Sequence, residues 1–410
     1  ALDWGRSKRA GAHYHQNQIE GSVMKAPPLE RRALMQAAEA ATGLSNWGDT
    51  FFVEALDQLI DSLKSESGIN AAGEKTRALQ FTNILMNRLR TEDYITRHPE
   101  ILDEQIRVDA VIVGLPRTGS TMLHRLLAAD PANTAMEMWE GFNPAPFPDE
   151  EFGKPVGRHK AGERSAEHIK AASPDFEAIH DVSAYMPEEE ILLLDHCFMS
   201  SVFESAFYVP SYAKWLQQTD QTPAYQDLKR FLQFLQWQRP DRRGKGWVLK
   251  TPQHVPLVDV VAKVFPGAHI IMTHRDPVQT VPSMCSMVSA YSKPWTDTHD
   301  EKAIGDHWFH RLKWNLDQFM AKRAQMDEGL FIDVDYRQTV KDPLGTARMI
   351  YERLGRPFTD VTAEELAGWH DGHGQNKHGK HAYTAEQFGL SDAQLAEAFS
   401  AYRARYIEGS

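Results

Sequence analysis

The 410-residue sequence is poor in cysteine and has no long apolar stretch. Its two cysteines, Cys197 and Cys285, are too few for a disulfide framework or a cysteine-based zinc site. The sequence contains no run of about twenty apolar residues, so no membrane span is expected. Residues 1–4 also lack the basic and then apolar layout of a signal peptide. These absences predict a soluble, cytoplasmic protein with reduced thiols.

The sequence also lacks an excess of positive charge. Lysine and arginine number 45 against 56 aspartates and glutamates, which gives a net charge of −11. Nucleic-acid binding requires a basic surface that neutralises phosphates, so no nucleic-acid partner is expected. A local basic pocket for a small anion remains compatible with this charge.

Four short apolar runs predict the strands of one sheet. Each run lies beside a helical pattern, and this alternation is typical of a parallel sheet with helices on both faces. We therefore predict an α/β fold, a P-loop-type three-layer arrangement with a central parallel sheet plus N-terminal and inserted helices. The four runs are Val108–Val113, Trp247–Lys250, His269–Thr273 and Leu330–Val334.

Three regions are predicted along the chain. Within the central region, residues 141–175 are rich in proline, glycine, lysine and glutamate without periodicity, which predicts a surface loop or lid of low order. The regions are a helical N-terminal extension (1–105), an α/β domain (106–383) with a helical insertion (141–237), and a C-terminal helical tail (384–410).

The inserted segment is unusually aromatic. Residues 198–237 hold ten aromatic side chains in forty positions, against 10% for the whole chain. They predict either core packing, which is favoured for most of them, or the lining of an apolar pocket. Three carboxylates, Glu188, Glu189 and Glu190, precede this segment. They are interpreted as a solvated helix N-terminus or as groups that face a ligand.

The strongest candidate site is the turn Gly114–Thr121. It follows a predicted strand and opens a predicted helix, where backbone N–H groups and the helix dipole converge on an anion. The loop that binds nucleoside triphosphates has the pattern G-x-x-x-x-G-K-[ST]. Both glycines and the final hydroxyl of this pattern are present, but Ser120 occupies the lysine position. Transfer between β- and γ-phosphates is therefore disfavoured, and a ligand with one phosphate-like group is favoured.

This turn resembles the 5′-phosphosulfate loop of sulfotransferases that use 3′-phosphoadenosine-5′-phosphosulfate (PAPS). The family pattern P-[KR]-[ST]-G-[ST]-T is matched by Pro116–Thr121, and the residues up to Pro131 are similar to the bacterial and protein-tyrosine branches. The resemblance spans residues 108 to 383. It implies that the donor is bound by Arg117, Thr118, Gly119, Ser120 and Thr121.

A second element resembles the family's 3′-phosphate site. Arg275 follows the predicted strand at 269–273, and Ser283 lies eight residues further on, at the family's separation. Eight residues span about two helical turns, so both side chains reach one phosphate only if the first turn is not yet helical. A bidentate arginine with a hydroxyl is good phosphate chemistry. The resemblance implies that Arg275 and Ser283 bind the 3′-phosphate.

Two candidates for the catalytic base follow from the resemblance. The segment Leu249–His254 is similar to the family's Lys-Thr-x-His, which implies that Lys250 contacts the sulfonate and that His254 takes the acceptor proton. Pro252 and Gln253 depart from the compact family spacing. The protein-tyrosine branch uses a glutamate beyond the loop helix, and Glu140 is the second candidate base.

Two weaker resemblances concern the nucleotide. Tyr336 follows a predicted strand and corresponds to the tyrosine that meets the adenine ring. Lys380 lies in a basic loop, 376–383, that either closes over the 3′-phosphate or forms a solvated charge cluster.

Together the motifs predict an enzyme that moves the sulfonate of PAPS to the hydroxyl of a hydrophobic or phenolic small molecule or lipid. The product nucleotide is 3′-phosphoadenosine 5′-phosphate (PAP), and catalytic charge stabilisation is expected from Lys250 and Arg117, with no metal. The alternatives are a P-loop kinase and a non-catalytic PAP-binding module. The acceptor and the oligomeric state stay open.

Overall fold

The computed structural model of the protein describes residues 25–172, 182–373 and 383–408. Within these ranges five strands form one parallel sheet in the order β2-β3-β1-β4-β5. The predicted α/β fold with a central parallel sheet is confirmed. The strands are β1 (Val108–Gly114), β2 (Asn133–Thr134), β3 (Gly246–Lys250), β4 (His269–His274) and β5 (Phe331–Asp335).

Helices surround this sheet and make up most of the described chain. Those before β3 are α1 (Arg31–Thr42), α2 (Phe52–Glu66), α3 (Ala71–Arg97), α4 (Ser120–Ala128), α5 (Met138–Phe142), α6 (Val156–Ala172), α7 (Ile191–Leu194), α8 (Val202–Ala206), α9 (Pro210–Gln218) and α10 (Thr222–Gln238). Those after β3 are α11 (Val258–Val264), α12 (Pro277–Ser292), α13 (Glu301–Arg323), α14 (Tyr336–Lys341), α15 (Pro343–Arg353), α16 (Asp360–Gly372), α17 (Asp392–Ala398) and α18 (Ser400–Tyr406). A 3₁₀ segment, Pro252–Leu257, links β3 to α11.

The central strand β1 is apolar because both of its faces are covered. Val111 and Val113 pack into one core, and Ala110 and Ile112 pack into a second core on the other face. This alternation follows from the two-residue period of a strand. The carboxyl ends of β1, β3 and β4 therefore meet at one edge, where open parallel sheets bind ligands.

The N-terminal helices share the larger core with the sheet and with the inserted helices. Phe52 and Phe81 pack in the same cluster as Phe198. Arg88 of α3 forms a buried ion pair with Asp227 of α10 at 2.8 Å. The N-terminal helices are thus packed against the inserted segment that borders the site.

The prediction that residues 141–175 form a loop of low order is wrong for about half of its length. Helix α6 covers Val156–Ala172. Its buried positions include Ala161, Ser165 and Arg158, whose guanidinium pairs with Glu150 at 2.8 Å. The inward face of α6 consists of small and charged residues, so the sequence has no apolar periodicity there.

Candidate active site

The turn after β1 is shaped by hydroxyl contacts that leave no room for a side chain at its start. A Cβ atom on Gly114 would lie 2.2 Å from Thr273 Oγ1 and 2.9 Å from Thr118 Oγ1. Thr118 donates to the carbonyl of Leu115 at 2.7 Å, and its oxygen lies 2.7 Å from that of Thr273. Glycine is therefore required at position 114, and the turn is anchored to β4.

The turn then enters α4 through two left-handed residues, Arg117 (φ 72°) and Gly119 (φ 80°). The first intrahelical bond runs from Leu123 N–H to the carbonyl of Gly119. The N–H groups of Ser120 and Thr121 in the first turn have no partner within the helix, and such a helix end favours binding of an anion. A side chain at Gly119 would also lie 3.0 Å from the ring of Tyr336.

Three of the predicted donor-binding residues meet beside this turn. The guanidinium of Arg275 lies 4.3 Å from the ring centroid of Tyr336. Its Nη1 donates to the carbonyl of Arg117 at 2.8 Å. Burial lowers the pKa of the Arg117 guanidinium, and the nearby charge of Arg275 lowers it further. Two guanidinium groups so close together favour a bound anion.

Of the other two predicted 3′-phosphate residues, only Ser283 lies within the described part of the chain. Ser283 is buried in the second turn of α12. Pro282 precedes it, and because proline has no N–H group, the helix lacks one backbone donor there. Lys380 lies outside the described residues, as does the rest of its basic loop up to residue 382.

Lys250 links the turn to the candidate acceptor side. It ends β3 and is 2% exposed. Its Nζ donates to Thr121 Oγ1 at 3.0 Å and forms an ion pair with Glu189. Its backbone N–H donates to Glu190 Oε2 at 2.8 Å. The lysine thus connects the anion-binding helix end with two of the three consecutive carboxylates.

His254, the candidate base ranked first, is fully buried with both ring nitrogens engaged. Its Nε2–H donates to Glu190 Oε1 at 2.5 Å, and the hydroxyl of Tyr225 donates to Nδ1 at 2.7 Å. Burial alone would raise the pKa of Glu190, but the bonds from His254 and Lys250 outweigh it and lower this pKa. The ring of His254 does not line the cavity described below.

Glu140, the second candidate base, is 1% exposed and belongs to a structural ion pair. One oxygen accepts from Arg242 Nη2 at 2.8 Å and from the backbone N–H of Glu137 at 2.8 Å. It thereby caps α5 and, like His254, does not line the cavity.

A cavity of about 270 Å³ opens between the turn and helices α12 and α13. Polar groups of its lining come from the turn, Lys250, Glu188 and Glu189, and Gln80 of α3 also lines it. Glu189 is 19% exposed. Most of the wall is apolar, with Met138, Leu192, Met284, Val288, Trp308 and Leu312.

The cavity clarifies two features of the sequence. The ten aromatic side chains of residues 198–237, a fully described segment, do not line it, and seven of them are buried in the hydrophobic core. The interpretation favoured for most of them, core packing, is therefore confirmed. Glu189 was not among the predicted catalytic residues, although the run of three carboxylates was a visible signal.

The described parts of the chain contain neither a metal-binding cluster nor a membrane-spanning helix. No group of three histidine, cysteine, aspartate or glutamate side chains there could hold a metal ion. Among the helices of these parts, none is both long and apolar enough to cross a membrane.

The parallel sheet, the anion-binding turn and the buried lysine beside an apolar cavity define an α/β group-transfer enzyme. The chain belongs to the sulfotransferase family, whose family model, described as "Sulfotransferase family", matches residues 109–360. The predicted family and the prediction of a sulfotransferase enzyme are confirmed.

Known relatives agree with this assignment. Sulfotransferase STF1 of Mycobacterium tuberculosis is 31% identical, with a TM-score of 0.79 over 90% of this chain and 97% of that one. STF9 of Mycobacterium avium is 27% identical, with a TM-score of 0.81 over 91% and 96%. A curated relative, the omega-hydroxy-beta-dihydromenaquinone-9 sulfotransferase Stf3 of Mycobacterium bovis, is 26% identical over 308 residues, which are 71% of this chain and 74% of Stf3.

Proposed function

We propose that this sulfotransferase uses PAPS as its donor and sulfates the hydroxyl of an apolar alcohol, phenol or lipid. The observation that carries the proposal is the position of Lys250, which contacts Thr121 of the anion-binding turn and Glu189 on the wall of the cavity. One buried cation thus faces both the candidate donor and the candidate acceptor.

The donor side is supported by the chemistry of two basic groups, one on the turn and one directly after β4. The turn with Arg117 accepts the 5′-phosphosulfate, and Arg275 with Ser283 accepts the 3′-phosphate. Tyr336, which contacts both Gly119 and Arg275, offers a ring surface for the adenine. Ser120 in place of a lysine leaves no charge for a γ-phosphate.

The acceptor side is supported by the wall of the cavity. Apolar residues from α5, α7, α12 and α13 enclose it, while its polar groups include those at the Lys250 end. Such a cavity favours an apolar body with one hydroxyl at the Lys250 end. The name of the curated relative Stf3, which refers to a hydroxylated menaquinone derivative, favours the same class.

The proposed reaction is a direct displacement at sulfur. The acceptor oxygen forms a bond to sulfur, the bond between sulfur and the bridging phosphate oxygen breaks, and the electron pair leaves with PAP. Lys250, Arg117 and the N–H groups of the turn stabilise the charge that develops on the bridging oxygen. The acceptor proton passes to a carboxylate.

We assign this carboxylate to Glu189. It lines the cavity and contacts Lys250, whereas His254 and Glu140 lie behind the wall. When the sulfonate binds Lys250, it competes with Glu189 for the ammonium and leaves the carboxylate able to accept a proton. His254 then has a positioning role, because it holds Glu190, which accepts from the Lys250 backbone.

An acceptor panel tests the proposed substrate class. With ³⁵S-labelled PAPS, we expect 1-dodecanol and 4-nonylphenol to be sulfated with kcat/KM values at least about tenfold above those of glucose and N-acetyltyrosine amide, because only the apolar acceptors gain from burial. Product identity is read by mass spectrometry. Transfer confined to the two polar acceptors would contradict the assignment of the cavity.

A further inference from the structure

The C-terminal helix α18 contacts both sequence neighbours of Arg275. His274 ends β4, and Asp276 caps α12 by accepting from Val278 N–H at 3.1 Å. Tyr402 and Arg403 of α18 bind these two neighbours. The residue between them is the one proposed to hold the 3′-phosphate.

His274 is itself buried and is fixed by a chain of hydrogen bonds. Its Nε2–H donates to Asp333 at 2.7 Å, and Arg323 donates to the same carboxylate at 2.7 and 2.8 Å. Burial alone would raise the pKa of Asp333, but these bonds outweigh it and hold this pKa far below its usual range. Because the ionised carboxylate can only accept, the ring proton of His274 is on Nε2. Nδ1 therefore accepts from the Tyr402 hydroxyl at 2.7 Å. Tyr406 stacks on the ring at 4.5 Å.

Asp276 is fixed by an ion pair. Arg403 Nε lies 3.1 and 3.2 Å from the two carboxylate oxygens of Asp276. The pair is partly exposed, with side chains 23% and 21% accessible. It is a modest source of stability, but it holds the first turn of α12 against α18.

Arg275 itself is held in one orientation. Nη1 donates to the Arg117 carbonyl at 2.8 Å, Nε donates to Gln279 at 3.2 Å, and the guanidinium lies over Tyr336. Nη2 makes no hydrogen bond within the described ranges. The guanidinium can contact all three partners at once only if the backbone at position 275 keeps its position.

We propose that Tyr402 and Arg403 are positioning residues for the 3′-phosphate of the donor, acting through His274 and Asp276. The inference rests on the proposed use of PAPS. Neither residue is required to touch the nucleotide. Without them the guanidinium of Arg275 is free to turn away from the bidentate geometry that recognises a phosphate. The C-terminal helix thereby sets the preference for a 3′-phosphorylated nucleotide.

Calorimetry with PAP and adenosine 5′-monophosphate (AMP) tests this role, because AMP lacks only the 3′-phosphate. For Arg403→Ala we expect the Kd of PAP to rise about tenfold and the Kd of AMP to change less than about twofold. Tyr402→Phe keeps the ring and should act in the same direction, and Arg403→Lys should restore part of the affinity. Lys64→Ala, which removes an exposed cation on α2 outside this network, is the control and should change neither. Thermal melting verifies that each variant folds.

A double variant separates positioning from a general structural role. In Arg275→Ala, adding Arg403→Ala should cause no further loss of PAP affinity, because the group to be positioned is already absent. Equal losses of PAP and AMP affinity in Arg403→Ala, or no loss of either, would overturn the inference. A wild-type protein that binds PAP no better than AMP would instead overturn the proposed 3′-phosphate site itself.

Discussion

Glu189→Gln is expected to lower kcat by about 10²- to 10⁴-fold while the Kd of PAP changes less than about threefold. Glutamine keeps the size of the side chain, and its amide oxygen still accepts from Lys250, but it cannot take the acceptor proton. Steady-state transfer of ³⁵S at saturating PAPS measures the first quantity, and calorimetry measures the second.

Chemical rescue distinguishes loss of the catalytic base from a structural change in the cavity lining. Glu189→Ala should regain part of its turnover in sodium formate, which supplies a small carboxylate. Glu163→Gln, an exposed carboxylate on α6 that bonds to Tyr185, is the matched control and should keep wild-type turnover. Full turnover in Glu189→Gln would contradict the assignment and return His254 to first place.

Lys250→Met is expected to lower kcat by about 10²- to 10³-fold, because the ammonium stabilises charge that develops as the sulfonate moves. Methionine is similar in length and apolar, so the buried end of β3 stays filled. PAP lacks the sulfonate but keeps the bridging oxygen in its 5′-phosphate, so its Kd should rise by no more than about tenfold, less than kcat falls. Steady-state transfer of ³⁵S measures kcat, and calorimetry measures the Kd of PAP.

The exposed Lys263→Met on α11 is the matched control for this charge removal and should leave kcat unchanged. Thermal melting tests whether the loss of the partner of Glu189 disturbs folding. If PAP affinity and kcat fell by the same factor in Lys250→Met, the lysine would serve to hold the nucleotide rather than the transferring group.

Much of the sheet is readable from the sequence because burial on both faces produces continuous apolar runs, as in Val108–Val113 and His269–Thr273. Strand β2 is only two residues long and leaves no such pattern. Helix α6 escaped detection because Ala161, Ser165 and Arg158 face inward, and neither small nor charged residues reveal a buried stripe.

The turn after β1 was more predictable from the sequence than the lining of the cavity, for a physical reason. The turn imposes local demands, such as the absence of a Cβ at Gly114, and these leave a short sequence signature. Which carboxylate faces the cavity depends instead on the packing of distant segments. Within one run of three, Glu188 and Glu189 line the cavity, while Glu190 turns inward to His254.

Calorimetric titration with PAP, AMP and ATP in the absence of magnesium tests the central claim most directly. We predict micromolar binding of PAP, weaker binding of AMP, and loss of the PAP preference in Arg275→Ala. These results would support PAPS as the donor and Arg275 as the 3′-phosphate ligand. Binding of ATP as tight as that of PAP, or tighter, would contradict the account and favour a kinase.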